Sequence, residues 1–163
     1  MSVVDYRRAL HRIPELDNQL PETVDAVKKF LTPLPCRIFS PITGSVCAWF
    51  DAGKDDAVAF RAELDALPVP EATGLPYASC HPGKMHACGH DAHTAMMLTL
   101  AEYTAEHLAE LPRNVLFLFQ PAEETFGGAK HLCETGVLEA RHVVRVFGLH
   151  LWPKLEAGRV FTR

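Results

Sequence analysis

Residues 114–124 read NVLFLFQPAEE. The run from Val115 to Phe119 is wholly apolar, which is strand length and too short for a helix, and it has the character of a strand covered on both faces. It leads through Gln120, Pro121 and Ala122 into two adjacent acids, Glu123 and Glu124. The arrangement recurs on both sides. Upstream, residues 57–61 (AVAFR) run into Ala62, Glu63, Leu64 and Asp65; downstream, residues 143–149 (VVRVFGL) run into His150. Each acid or imidazole follows the carboxyl end of an apolar strand, and open α/β sheets bind ligands at those ends. Three buried strands are therefore expected to deliver Asp65, Glu123, Glu124 and His150 to one cleft.

Helical signals alternate with these strands. Residues 3–11 form an amphipathic candidate stopped before Pro14. Pro21 suits a first helical turn, and Val24, Val27, Phe30 and Leu31 follow at helical spacing until Pro33 and Pro35 intervene. After Asp91, placed to cap it, an apolar helical pattern runs to about Leu108, and Pro112 breaks it. A short helix over 127–135 has Gly136 as its C-cap. Residues 45–50 read as a further strand, and Gly53 to Asp56 as a hairpin turn joining it to the strand at 57–61. Residues 66–84 carry no periodicity and read as a long loop, a feature often tied to function. The alternation predicts an α/β/α sandwich with a largely parallel, mixed sheet.

Composition agrees with one folded domain: 163 residues, 48% hydrophobic and 22% charged. A formal charge of −4 with no basic run argues against nucleic acid, whose affinity comes from clustered Lys and Arg. No apolar stretch approaches the roughly 20 residues that span a bilayer, and the N-terminus lacks the apolar core of a signal peptide. The five cysteines are irregularly spaced, which points to free thiols and a reducing, cytoplasmic setting.

Histidines cluster in residues 81–93, above all in HACGHDAH over 86–93. Cys88 and His90 flank Gly89, a spacing that lets a thiolate and an imidazole converge where the backbone turns. With nearby carboxylates this donor set suits Zn²⁺, Mn²⁺, Co²⁺ or Ni²⁺ rather than Mg²⁺ or Ca²⁺. Taken singly, each of these residues has a plainer reading: a satisfied core histidine, a small buried thiol, or a solvated glutamate pair. A structural zinc site favours paired C-x-x-C spacing, which the sequence lacks. The conjunction favours a metal centre, because two adjacent glutamates at the end of a buried strand are costly to place unless a cation neutralises them. Redox chemistry at Cys88 lacks a resolving cysteine nearby.

The stretches HRIPEL, FRAELDALPVPE, PGKMHACGHDAHTAMML, VLFLFQPAEE, GGAKHL and VFGLHLWP, in that order, resemble the metal-dependent amidohydrolases of the aminoacylase and carboxypeptidase superfamily, in the branch of hippurate hydrolases, N-acetyldiaminopimelate deacetylases and auxin-conjugate hydrolases. The resemblance implies a zinc-peptidase-like sandwich. It implies Cys88, His90, Glu124 and His150 as metal ligands for two divalent ions in a complete site, with Cys88 able to bridge them. It implies Glu123 as general base and Asp65 as a supporting acid of the catalytic site. His86, Asp91 and His93 lie inside the motif with supporting roles at best. The implied reaction is hydrolysis of the amide bond of an N-acyl amino acid or small peptide. Glu63 is a departure, since the family usually has Asp there. The resemblance also implies that residues 1–163 are the N-terminal part of a catalytic domain, ending before a lid and dimerisation domain and before a last metal-binding histidine. A metal site weakened by that loss, and self-association through an uncovered sheet edge, are then expected. The alternative is a non-catalytic fragment that keeps the fold as a binding or metal-binding module.

Overall fold

Ser2 opens the first helix, α1 (Val3–His11), by local hydrogen bonding alone. Its hydroxyl accepts the Asp5 N–H at 3.2 Å, and the Asp5 carboxylate accepts the Ser2 N–H at 3.0 Å, so two otherwise unpaired donors are met reciprocally. Helix α2 (Pro21–Leu31) starts on Pro21 and buries Thr23, Val27 and Leu31. Both helices keep the bounds that periodicity sets. This computed structural model describes residues 1–125 and 127–162; the expected domain end at Arg163 lies outside the described residues.

Five strands form one sheet: β1 (Arg37–Phe39), β2 (Val46–Phe50), β3 (Ala57–Glu63), β4 (Asn114–Gln120) and β5 (Val143–Gly148), ordered β1-β2-β4-β3-β5. β3 runs parallel to β4 and β5, while β2 is antiparallel to both β1 and β4. Only β2 opposes the common direction, so the sheet is mixed and largely parallel, as expected. The expected hairpin between residues 45–50 and 57–61 does not form, because β4 lies between β2 and β3. The Asn114 side chain organises that connection instead: its Oδ1 accepts the N–H of Ala52 at 2.8 Å and of Lys54 at 3.2 Å, and its Nδ2 donates to the Lys54 carbonyl at 2.6 Å.

β4 is buried along its whole length, and its side chains alternate between two cores. Val115, Phe117 and Phe119 join Tyr6, Leu10, Val27, Leu31 and Phe50 on one face, beneath α1, α2 and a third helix, α3 (His90–Glu106), which contributes Met97 and Leu98. Leu116 and Leu118 join Cys47, Ala59 and Val137 on the other face, where α4 (Gly128–Glu134) packs. Each fully buried Leu or Phe contributes about 1.5–3 kcal/mol over its exposed state. α3 begins after Gly89, whose φ of 94° is left-handed, with no side-chain cap. Asp91 therefore does not cap it as expected: it sits in the first turn, where its carboxylate accepts from His11 at 2.8 Å and from Arg7 at 3.2 Å.

β5 departs from its sequence signature. Its run reads as a buried strand, yet Val144, Val146 and Phe147 are 53%, 51% and 45% exposed. Apolar composition marks a strand suited to burial and says nothing about what covers it. Here β5 pairs only with β3, and Phe147 stacks on Phe60 with ring centroids 5.4 Å apart. Among the described residues nothing pairs with the outer edge, so its unpaired backbone groups invite another strand. Static light scattering of residues 1–163 is expected to give a mass above that of one chain, and Val146→Lys is expected to return it toward one chain. A single-chain mass without the substitution would contradict this.

Candidate metal centre

The ends of β3, β4 and β5 point to the same side of the sheet, where the predicted residues are found. The exit from β4 turns sharply. Ala122 takes a positive φ of 51°, a strained conformation for a residue with a Cβ. It is held there by its N–H donating to the Asp17 carbonyl at 2.9 Å and its carbonyl accepting the Gly128 N–H at 3.1 Å. A Cβ on Gly128 would lie 1.9 Å from the Pro121 carbonyl oxygen, so only glycine lets α4 start so close to the turn. The turn also corrects the burial argument for the glutamate pair. Their side chains are 39% (Glu123) and 22% (Glu124) exposed, so neither carboxylate is entombed at the strand end.

A different observation points to a cation. His90 Nδ1 donates to the Asp65 carbonyl at 2.7 Å, which leaves the lone pair on Nε2. That Nε2 is buried with no hydrogen-bond partner, as is Glu124 Oε1, and buried polar atoms are seldom left so. The two atoms lie 3.9 Å apart, and Glu123 Oε2 is 3.8 Å from the same nitrogen. On the other side, Cys88 Sγ lies 3.5 Å from His150 Nε2. His150 Nδ1 donates to the Leu151 carbonyl at 2.6 Å, so its Nε2 also presents a lone pair. Two groups of donors, Cys88–His90–His150 and His90–Glu123–Glu124, each fall within 4.8 Å of one another and share His90. Donors bound to one ion at roughly 2.0–2.3 Å stand about 3.3–3.8 Å apart, so these residues fit divalent ions. Burial and the neighbouring Glu124, Glu123 and Glu63 push the Cys88 thiol up to about 12. Such a thiol keeps its proton at neutral pH, and a cation among the same donors reverses that balance.

Asp65 stands behind these donors. It is buried, its Oδ2 accepts the Glu124 N–H at 3.0 Å, and its carbonyl orients His90. It ties the end of β3 to one side chain from α3 and to the backbone at the β4 exit. Glu63, the departure from the family pattern, is paired with His93: His93 Nδ1 and Glu63 Oε2 are 2.9 Å apart. Burial alone would raise the Glu63 carboxyl, but the His93 hydrogen bond and the Arg61 charge bring it below its ordinary value. Glu63, His90 and His93 form a third compact group, yet both His93 nitrogens are already hydrogen-bonded.

Sequence reading missed a second buried network. His11 bridges Asp91 and Glu71, contacting them at 2.8 and 3.2 Å. His86 is buried beside it with neither ring nitrogen partnered, and burial depresses it to about 4. The histidine clustering marked His86, but His11 lies 60 residues from Glu71 and 80 from Asp91, beyond any local pattern.

Three kinds of comparison bear on this geometry. A profile described as peptidase family M20/M25/M40 matches residues 59–163. An uncharacterised hydrolase of Staphylococcus aureus (strain USA300) is 38% identical over 163 residues, covering 99% of this chain and 43% of that protein. Among solved structures, a protein from methicillin-resistant Staphylococcus aureus superposes with a TM-score of 0.94 at 40% identity, covering 99% of this chain and 44% of that one. The YXEP protein of Bacillus subtilis, a dinuclear metal-binding peptidase of the M20 family, superposes with a TM-score of 0.88 at 40% identity, covering 94% and 43%. The chain thus spans less than half the length of these relatives.

Proposed function

The chain belongs to peptidase family M20/M25/M40, and from that membership we propose that it carries the metal-binding part of a hydrolase that splits the amide bond of an N-acyl amino acid or small peptide. The observation that carries this reading is the unpartnered His90 Nε2, set between Cys88 and His150 on one side and Glu123 and Glu124 on the other. The donors fall into two groups with His90 common to both; its one free nitrogen binds a single ion, and the dinuclear character of the Bacillus subtilis relative supports a second ion beside it.

Cys88, His90, Glu124 and His150 would hold the ions. Divalent ions there would acidify water and offset negative charge on the scissile carbonyl oxygen. Glu123 carries the proton traffic. Its carboxylate is the more exposed of the pair, which suits a group that must meet water and substrate. It takes a proton as the water oxygen bonds to the carbonyl carbon, and gives that proton to the nitrogen as the C–N bond breaks. A carboxylic acid and a free amine leave. Asp65 holds His90 and the Glu124 backbone in register throughout.

The test combines elemental analysis with amine release from N-acetyl and N-benzoyl amino acids in the presence of Mn²⁺ or Zn²⁺. The expected result is metal retained on gel filtration and amine release that a chelator stops. Metal retained without release would favour the binding-module alternative, and no retained metal would overturn the metal reading.

A further inference from the structure

His150 leaves the sheet on a segment with little else to hold it. β5 ends at Gly148, residues 149–162 form no helix or strand, and Leu149, Leu151 and Trp152 are exposed. An imidazole on such a segment has many positions open to it, and ordering it costs conformational entropy. His93 is the opposite case, a buried ring in the first two turns of α3. Its Nε2 accepts the N–H of Leu151 at 3.0 Å, the peptide group directly after His150. Its ring meets the His150 ring edge-on, with centroids 4.6 Å apart. Because Nε2 accepts, the ring proton is on Nδ1, where it is donated to Glu63 Oε2 at 2.9 Å. Glu63 is paired with Arg61, whose Nε donates to Gln120 Oε1 at 2.7 Å. A line of hydrogen bonds thus runs from β4 through β3 and α3 to the backbone that carries His150.

We propose that His93 is the positioning residue for His150, with Glu63 fixing its tautomer, so that the buried helix sets where an otherwise loosely held donor stands. The proposal rests on the metal-centre reading above. His93 itself offers no donor to an ion, since both nitrogens are engaged. A core-filling histidine would need neither the Leu151 contact nor a fixed tautomer.

Two substitutions separate the two hydrogen bonds. His93→Asn keeps a donor toward Glu63 and loses the acceptor for Leu151. His93→Gln places a carbonyl where Nε2 was and keeps that acceptor. Amide hydrogen exchange of Leu151 and titration with Co²⁺, followed by its visible and thiolate charge-transfer absorption, are measured on the chain and on both variants. Circular dichroism confirms that each variant is folded. The expected result is a Leu151 amide protected in the chain and in His93→Gln but not in His93→Asn. Co²⁺ affinity is expected to fall by about 10–100-fold in His93→Asn, as when a partner behind a ligand is removed, and to stay close to the original in His93→Gln. A folded His93→Asn that binds Co²⁺ undiminished, or an unprotected Leu151 amide in the unsubstituted chain, would overturn the proposal. If the unsubstituted chain binds no Co²⁺, the metal reading fails, and Leu151 exchange alone decides whether His93 holds the segment.

Discussion

Glu123→Gln is expected to lower amine release by about 10²–10⁴-fold, the usual contribution of a general base, while the metal content of the chain stays unchanged. The expectation follows from the unequal placement of two neighbouring acids. Glu124 has a buried oxygen without a partner, and its N–H is anchored to Asp65; that is the setting of a group waiting for an ion. Glu123 is more open, so an oxygen can accept a proton from water without first being freed from the protein. Glutamine matches glutamate in shape but takes no proton at neutral pH, so binding and catalysis should separate. Glu124→Gln should act in the opposite sense, with metal retention falling first and activity following it. Metal content by elemental analysis and kcat/KM for an N-acetyl amino acid, measured on both variants, check the assignment. Equal loss of metal from both would make Glu123 a ligand and leave the proton transfer to another group.

The residues of this site were unevenly legible in the sequence, for physical reasons. Local signals survived folding: the amphipathic spacing of residues 3–11 and Pro21 marked two helices, and the apolar run of β4 marked a strand. Non-local order did not. Nothing near Gly53 shows that β4 will separate β2 from β3, because β4 begins some sixty residues on and pairs with both. Cys88 and His90 stood out because they share one motif. The Glu63–His93 pair did not, because its members come from β3 and α3 and meet only once the sheet has formed. The acids of the β4 exit read as buried because they follow the end of a buried strand; the positive φ at Ala122 is a backbone fact that no side-chain pattern announces.

His90→Ala is expected to lower the metal content of the chain more than any other single substitution among these donors. His90 is the residue common to the thiol-side and carboxylate-side groups; its one free nitrogen binds a single ion, and without it each group is left with two donors. The fall in affinity should exceed the roughly 10–100-fold that follows when only a partner behind a ligand is lost. His150→Ala provides the contrast. It removes a donor from the thiol side only, and the His90–Glu123–Glu124 group should still take one ion. The metal-free fold should change little in comparison. Losing the ring strands the Asp65 carbonyl without its donor, which costs about 1–3 kcal/mol for a buried group, but it also removes a buried nitrogen that had no partner, which offsets part of that. The denaturation midpoint of the metal-free variant should therefore shift only modestly, whereas the stabilisation that added Mn²⁺ or Zn²⁺ gives the unsubstituted chain should vanish, because an ion stabilises only the fold it binds. Measured together, metal-free and metal-loaded midpoints separate a damaged fold from a missing ligand. If His90→Ala kept two ions and their stabilising effect, the donors around residue 90 would not share a metal, and the hydrolytic reading would lose the geometry it stands on.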